Sequence, residues 1–349
     1  MNKIISLGVL LCLAFTLQAQ TDSQAQIAPT PALMSNLASK SLLTDVVKLD
    51  NGKLVSVGDR GHIILSENGE SWVQSSSPVN VLLTDVYFLD NNTGWAVGHD
   101  VTIIKTVDGG KSWAVQHFSP DTDKPLFGIH FKDSNNGFAI GAYGLFLRTS
   151  DGGKSWNKEF HGEFLHPDDL DYINELKDSD PQAYEDETSS ILPHFNRLII
   201  AQNNAYLVGE VGLLAISTDY GKKWQKVDEF YNGSFFDVAI GATSTNGSQL
   251  YVGGLRGNFF AADGQASDAN AWQNIDIGVK SSINRILVTE NKLVLLGNAG
   301  LLLVSEDGGK QFKKHIQSDG KAITSGVELN GKLVLTSQVG IKVIDKGAF

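Results

Sequence analysis

Four arginines, a tyrosine and a scatter of carboxylates are the residues of this sequence best fitted to do chemistry. Arg60, Arg197, Arg256 and Arg285 suit recognition of a carboxylate or phosphate, because the planar guanidinium fork offers parallel N–H donors. With Tyr143 and Glu210 as a nucleophile pair, they would suit hydrolysis of an acidic sugar. Asp45, Asp85 and Asp237 supply opposite charge that could equally pair with the arginines and silence them. Other chemistries lack their residues. Cys12 is the only cysteine and lies in an N-terminal apolar run, so the rest of the chain has no thiol for a disulfide, a metal site or a nucleophile. Gly110-Lys-Ser112 lacks the preceding loop of a phosphate site, and neither a zinc-helix motif nor a nucleophile elbow occurs. No cofactor is expected.

The elements that position these residues are repeats. Thr106-Val-Asp108-Gly-Gly110-Lys-Ser-Trp113 returns as Thr149-Ser-Asp151-Gly-Gly153-Lys-Ser-Trp156. It returns again as Ser217-Thr-Asp219-Tyr-Gly221-Lys-Lys-Trp224 and as Ser305-Glu-Asp307-Gly-Gly309-Lys-Gln-Phe312. Ser66 to Trp72 is a shortened copy, and Asp263 to Trp272 a degraded, lengthened one. Successive terminal aromatics are 41, 43, 68, 48 and 40 residues apart. A period of roughly 40–45 residues is that of a four-stranded propeller blade. The phrase resembles the Asp-box of the BNR repeat, in which the carboxylate takes turn amides, glycine allows positive φ and the aromatic covers the turn. Asp108, Asp151, Asp219 and Asp307 are therefore read as structural.

Alternating strands and turns within each repeat give an antiparallel meander. Seven units begin near Leu43, Leu83, Leu126, Asn196, Phe236, Asn284 and Thr324. The expected fold is all-β: a seven-bladed β-propeller with four-stranded antiparallel blades. The last unit has room for three strands, so the segment from Gln26 to Ser41 is expected to supply its outer strand and close the ring. The meander puts the starts of the first strands and the strand 2–3 turns on one face, around the channel mouth. Ring positions in blade order read Asp45, Asp85, Gly128, Arg197, Asp237, Arg285 and Gly326. The turns add Arg60, His99, Asp100, Tyr143, Glu210, Arg256 and Asn298, and the boxes fall on the opposite face.

With Gly94-Trp95-Ala-Val-Gly98 preceding the box at Thr106–Trp113, the chain after residue 40 resembles the photosystem II stability/assembly factor family. The resemblance implies a seven-bladed propeller with BNR-like blades. It also implies a non-catalytic chaperone of membrane-protein subunits, acting through an arginine-rich patch. This chain departs from that pattern with five arginines and a net charge of −11. What carries over is an accessory role for a membrane complex. The charge also argues against a general nucleic-acid binder.

The 68-residue spacing marks an insertion, His161 to Pro193, that must emerge on the channel-mouth face. It holds ten acidic residues against Lys177, and Leu170, Tyr172, Ile173 and Leu176 form a short amphipathic stripe. Its carboxylates, with His161 or His166, show no metal-ligand spacing, so no metal is expected. Residues 1–19 read as a signal peptide: Lys3, the apolar run Ile4 to Phe15, then Leu17-Gln-Ala19 for cleavage. The expected organisation is a leader at 1–19, a segment at 20–40 and a propeller at 41–349 with the insertion at 161–193. The expected protein is exported or periplasmic and monomeric, with no integral membrane segment after cleavage. It scaffolds an envelope or membrane protein complex through Asp45, Arg60, Asp85, Tyr143, Arg197, Asp237, Arg256 and Arg285. The alternative is a sialidase-like carbohydrate hydrolase. Against it, Arg197-Leu-Ile and Arg285-Ile-Leu lack the proline of the Arg-Ile-Pro motif found in such enzymes.

Overall fold

The structure, a computed structural model, describes residues 27–201, 203–242, 248–264, 267–289, 292–345 and 347. The expected leader at 1–19, Cys12 and Gln26 lie outside the described residues. Seven antiparallel sheets follow one another along the chain, each in the order first, second, third, fourth strand. Among the described residues, blades 1 to 6 have four strands and blade 7 has three. The first strands are Leu43–Lys48, Leu83–Phe88, Leu126–Phe131, Phe195–Ala201, Phe235–Ala242, Ile283–Val288 and Ile323–Leu329. Each touches the next, and the last meets the first, so the sheets form a closed ring.

The second strands show why the ring must close. Leu54–Gly58, Gly94–Gly98, Gly137–Gly141 and Leu293–Gly297 are buried at every residue. A strand apolar on both faces needs a neighbouring sheet on each side, and one blade alone cannot provide that. The seams between blades are accordingly the core. Most are filled by the box aromatic of the following blade: Trp113 between blades 1 and 2, Trp224 between 3 and 4, Trp272 between 4 and 5.

Each first strand carries a bulge at its second residue: Thr44, Thr84, Phe127, Asn196, Phe236, Asn284 and Thr324. Five of these donate a side-chain hydrogen bond to the carbonyl that opens the next blade. Thr44 reaches Leu83 at 2.6 Å, Thr84 reaches Leu126 at 2.5 Å, Asn196 reaches Phe235 at 2.8 Å and Asn284 reaches Ile323 at 2.9 Å. Thr324 reaches Leu43 at 2.6 Å, and this bond joins blade 7 to blade 1. The bulge presses the first strand against the end of the second, which is glycine in blades 1 to 6. A Cβ on Gly98 would lie 2.2 Å from the Leu82 carbonyl oxygen.

The N-terminal segment behaves differently from the sequence expectation. Residues 27–42 form no strand with blade 7. They run along the outer strand of blade 1, where Gln74 Nε2 donates to the Leu33 carbonyl at 2.9 Å and the Ala32 amide to Ser77 at 3.1 Å. Ala38 and the Ser39 carbonyl, which accepts from the Ile341 amide at 3.0 Å, then seal the seam between blades 7 and 1. Gln74 and Trp72 of blade 1 and Ile341 of blade 7 hold this segment.

The insertion folds into α1 (Pro167–Ser179) and α2 (Pro181–Thr188). Both begin at a capping residue followed by proline; Asp180 accepts from the Ala183 amide at 3.1 Å. Ile173 is buried and Leu170 and Leu176 are half-buried, while Tyr172 is 47% exposed. Two residues along a helix turn the side chain by about 200°, so Tyr172 leaves the stripe that Leu170 and Ile173 share. Phe164 and Leu192 anchor the ends of the insertion in the core between blades 3 and 4.

Gly98→Ala should drive its new methyl into the Leu82 carbonyl and open the bulge. Overpacking of this kind costs about 1–3 kcal/mol, and thermal unfolding should show a midpoint lowered by about 5 °C.

Candidate functional site

The bulges turn the third residue of each first strand towards the channel, and five of these seven residues are charged. They condense into one cluster. Arg197 Nη1 donates to Asp85 Oδ1 at 2.7 Å, and its Nε lies 3.4 Å from Asp237 Oδ1. Arg285 Nη2 bonds Asp45, its Nη1 lies 3.9 Å from Asp237, and its Nε donates to Ser325 Oγ at 3.0 Å. Ser325 Oγ donates in turn to Asp45 at 2.7 Å. The seventh ring residue is therefore Ser325 and not Gly326, because the Thr324 bulge moves the register by one. The second oxygen of each aspartate holds a backbone amide of the next blade: Val86 to Asp45 at 3.3 Å, Ile129 to Asp85 at 3.1 Å, Ile286 to Asp237 at 2.6 Å. One polar network thus reaches all seven blades.

Three buried carboxylates face two guanidiniums, leaving one negative charge in excess. Burial and the nearby Asp45 push Asp85 up to about 6, with Arg197 offsetting them only in part. Burial also raises Asp237. Burial works against charge on Asp45 too, but there Arg285 and Arg197 outweigh it and the carboxyl titrates below its usual range. Arg197 resists its own burial through Asp85, Asp237 and Asp45 and stays charged.

Above the cluster lies a cup of about 220 Å³, walled in part by Phe127, Asn196 and Phe236. Phe127 and Phe236 occupy the two bulges that lack a Thr or Asn. Sequence reasoning missed them, although aligning the seven bulges would have shown both as departures.

Three predicted site residues stand apart from the cluster, on the strand 2–3 turns. Arg60-Gly61, Tyr143-Gly144 and Arg256-Gly257 each have positive φ at both central positions, the two-residue hairpin geometry that matches sheet twist. Glycine follows the tip because the next linker crosses directly over it; a Cβ on Gly61 would meet the Val79 carbonyl at 1.9 Å. The tips themselves point outward: Arg60 is 80% exposed, with Asp59 of its own turn at 3.5 Å, and Tyr143 is 44% exposed. Tyr143 stacks edge-on against His194 at 4.5 Å, and Phe127 lies 6.0 Å beyond. Lys124 sits over the Tyr143 ring at 5.6 Å and donates to the Ser189 carbonyl, tying this aromatic patch to the insertion. Glu210 lies on the turn of blade 4, with its carboxylate 3.7 Å from His194 Nδ1.

The boxes occupy the other face and satisfy themselves. Ser155 donates to Asp151 through its hydroxyl at 2.6 Å and its amide at 3.0 Å, and Thr149 adds a bond at 2.8 Å, which holds the carboxyl well below its usual range. Asp108 repeats this with Ser112 and Thr106; burial opposes the shift, yet the carboxyl falls to about 2. Asp219 and Asp307 take two turn amides each, all at 3.0 Å. In blade 1, Asn68 does the same work through its amide oxygen. Among the described residues, no group of three or more His, Cys, Asp or Glu is placed to hold a metal ion, and no helix is long and apolar enough to cross a membrane.

The family described as photosynthesis system II assembly factor YCF48 matches residues 64–159 and 117–232. Similar solved structures include YCF48 bound to D1 peptide, with a TM-score of 0.64 and 19% identity over 91% of this chain and 99% of that one. YCF48 from Cyanidioschyzon merolae matches with a TM-score of 0.64 and 14% identity over 92% and 100% of the two chains. Over residues 64–232 the chain matches the photosystem II assembly factor family, and its seven-bladed fold is that of the two YCF48 structures. The fold is not confined to that family: the WD40 propeller domain of Doa1 matches with a TM-score of 0.61 and 12% identity over 91% and 96%. No curated protein matches the chain. In this assembly factor-like propeller, Arg197 and Arg285 bond carboxylates of the ring, and Arg60 and Arg256 reach solvent.

Two measurements test the cluster. Arg197→Gln leaves Asp85 and Asp237 short of a countercharge, and breaking a buried pair costs about 3–5 kcal/mol, whereas Arg60→Gln on its exposed tip should stay within about 0.5 kcal/mol. Thermal or urea unfolding of both variants reads the difference. The second uses pH. Asp85 at about 6 in the folded chain, against 3.8 unfolded, adds stability that is full below about pH 4 and is lost as pH rises through 6. Buried His130, held down to about 4, pulls the opposite way, so the comparison is with Asp85→Asn. The variant should gain on the wild type, in melting midpoint, between pH 5 and pH 7.5.

Proposed function

We propose that this chain is an exported scaffold or accessory factor that binds a protein of an envelope or membrane complex through its channel-mouth face. The observation that carries the reading is the division of labour on that face. A rigid, cross-blade ion cluster fixes the ring, and exposed Arg60, Tyr143 and Arg256 project from tight turns above it. Side chains presented on short turns from a stiff scaffold bind with little loss of conformational entropy. The acidic helical insertion widens the same face at blades 3 and 4. The D1 peptide on a structural relative supports a protein as the partner.

The geometry gives less support to a hydrolase of acidic sugars. That reaction needs arginines free to clamp a substrate carboxylate, and Arg197 and Arg285 already bond carboxylates of the ring. The protein is proposed to act as a monomer, with residues 1–19 removed on export.

The test is a triple variant, Arg60→Glu, Tyr143→Ala and Arg256→Glu, expressed from the native locus. It should keep the wild-type melting midpoint within about 2 °C, since exposed substitutions are close to neutral. Its envelope partner should fall at least tenfold in native co-purification. Undiminished retention of the partner would move the contact off this face. Fractionation should place the mature chain outside the cytoplasm with its N-terminus after Ala19, and a cytoplasmic chain beginning at Met1 would end the export reading.

A further inference from the structure

Blades 1 to 6 share a construction that blade 7 does not show among the described residues. In each of the six, a fourth strand covers the outer edge of the third, and the aromatic that leads it packs into the seam with the preceding blade. In blade 7 the third strand, Lys342–Asp345, is itself the outer edge among the described residues. One register position shows the consequence. Leu65, Lys105, Arg148, Ile216, Ala261 and Val304 each pair with a fourth-strand residue. All six are buried or half-buried. Val343 pairs with Val334 at the corresponding place and is 38% exposed.

The seam tells the same story. The cluster between blades 6 and 7, built from Val294, Leu296, Leu302, Val304, Ile323, Leu333 and Leu335, holds no aromatic among the described residues. A narrow cleft at its foot, lined by Thr289, Val294, Gly331 and Leu333, lies where another blade seats its box. In blade 1, box residue Gly69 lies against Val334 and Leu329 of blade 7 and Leu54 of its own blade.

We propose that the open edge of blade 7 takes up an extended, aromatic-led segment of a partner protein as its fourth strand. The six complete blades specify the occupant. It has an aromatic that enters the seam between blades 6 and 7, followed by two to four extended residues that pair with 342–345. Main-chain bonds to a free edge supply affinity and the side-chain pocket supplies selectivity. Exposed edges are ordinarily guarded by unpaired lysine charge. Here Lys342 is tied to Asp319 at 2.5 Å and Lys332 to Glu70 at 2.6 Å, so their charges are already met. This surface is separate from the channel mouth and does not depend on that reading.

The probe is an acetylated dodecapeptide copying Thr106–His117, added to the full chain. Fluorescence anisotropy should show saturable binding at one peptide per chain, and hydrogen exchange should slow at residues 342–345. The same peptide with Trp113→Ala should bind at least tenfold more weakly. As a second measurement, the dodecapeptide appended after Phe349 through a Gly/Ser linker should raise the melting midpoint and block binding of the free peptide. Four results would overturn the proposal. They are no binding up to 1 mM peptide, binding indifferent to the tryptophan, protection in the free monomer of those amides at 342–345 that face away from the second strand, and protection that grows with protein concentration. The third would mean that the chain covers its own edge, the fourth that a second copy does.

Discussion

Charge crowded into the channel mouth constrains everything around it. Asp45, Asp85 and Asp237 are almost out of solvent, and each must find both a countercharge and an amide. The countercharge comes from across the ring, on Arg197 and Arg285, and the amide comes from the neighbouring blade. Electrostatic satisfaction and blade spacing are therefore one condition. A strictly repeated sequence cannot meet it, because seven identical charges in one ring would repel. The ring residues diverge to Asp, Asp, Gly, Arg, Asp, Arg and Ser, while the boxes of blades 2, 3, 4 and 6, which satisfy themselves within one turn, stay alike.

That contrast divides the molecule into two faces. On the box face each carboxylate is met by the hydroxyl and amides of its own turn, so a blade can carry the motif wherever it stands in the ring. On the channel face the ring charges and the bulge side chains depend on other blades. The bulge side chains Thr44, Thr84, Asn196, Asn284 and Thr324 reach to the next blade's carbonyl, and the turn tips sit beneath the next linker. Phe127 and Phe236 break the bulge pattern beside the cup. This is the face where the repeat is least constrained to be uniform, and there the insertion enters.

Much of this was legible in the sequence. The box period set the blades, the meander placed Asp45, Asp85, Arg197, Asp237 and Arg285 on one ring, and the tips at Arg60, Tyr143 and Arg256 followed from the same register. Three features were not legible. A bulge adds one residue and shifts the alternation by one, which the repeat spacing does not reveal, so Ser325 was passed over for Gly326. The N-terminal segment was matched to the blade with a missing strand, but it lies along blade 1, where Gln74 bonds its backbone and Trp72 packs beside Ala38. Helical periodicity put Tyr172 on the stripe when its angle takes it off.

The sequence by itself determined the number of blades, their strand order and the local chemistry of each box, because these rest on contacts between residues a few positions apart. Only the tertiary structure decided which charges meet. Arg285 finds Asp45 across 240 positions, and Arg197 finds Asp85 across 112. Pairs so distant in the chain become neighbours only when the ring closes. Whether an arginine is a ligand-binding group or a strut inside the protein is settled at that point.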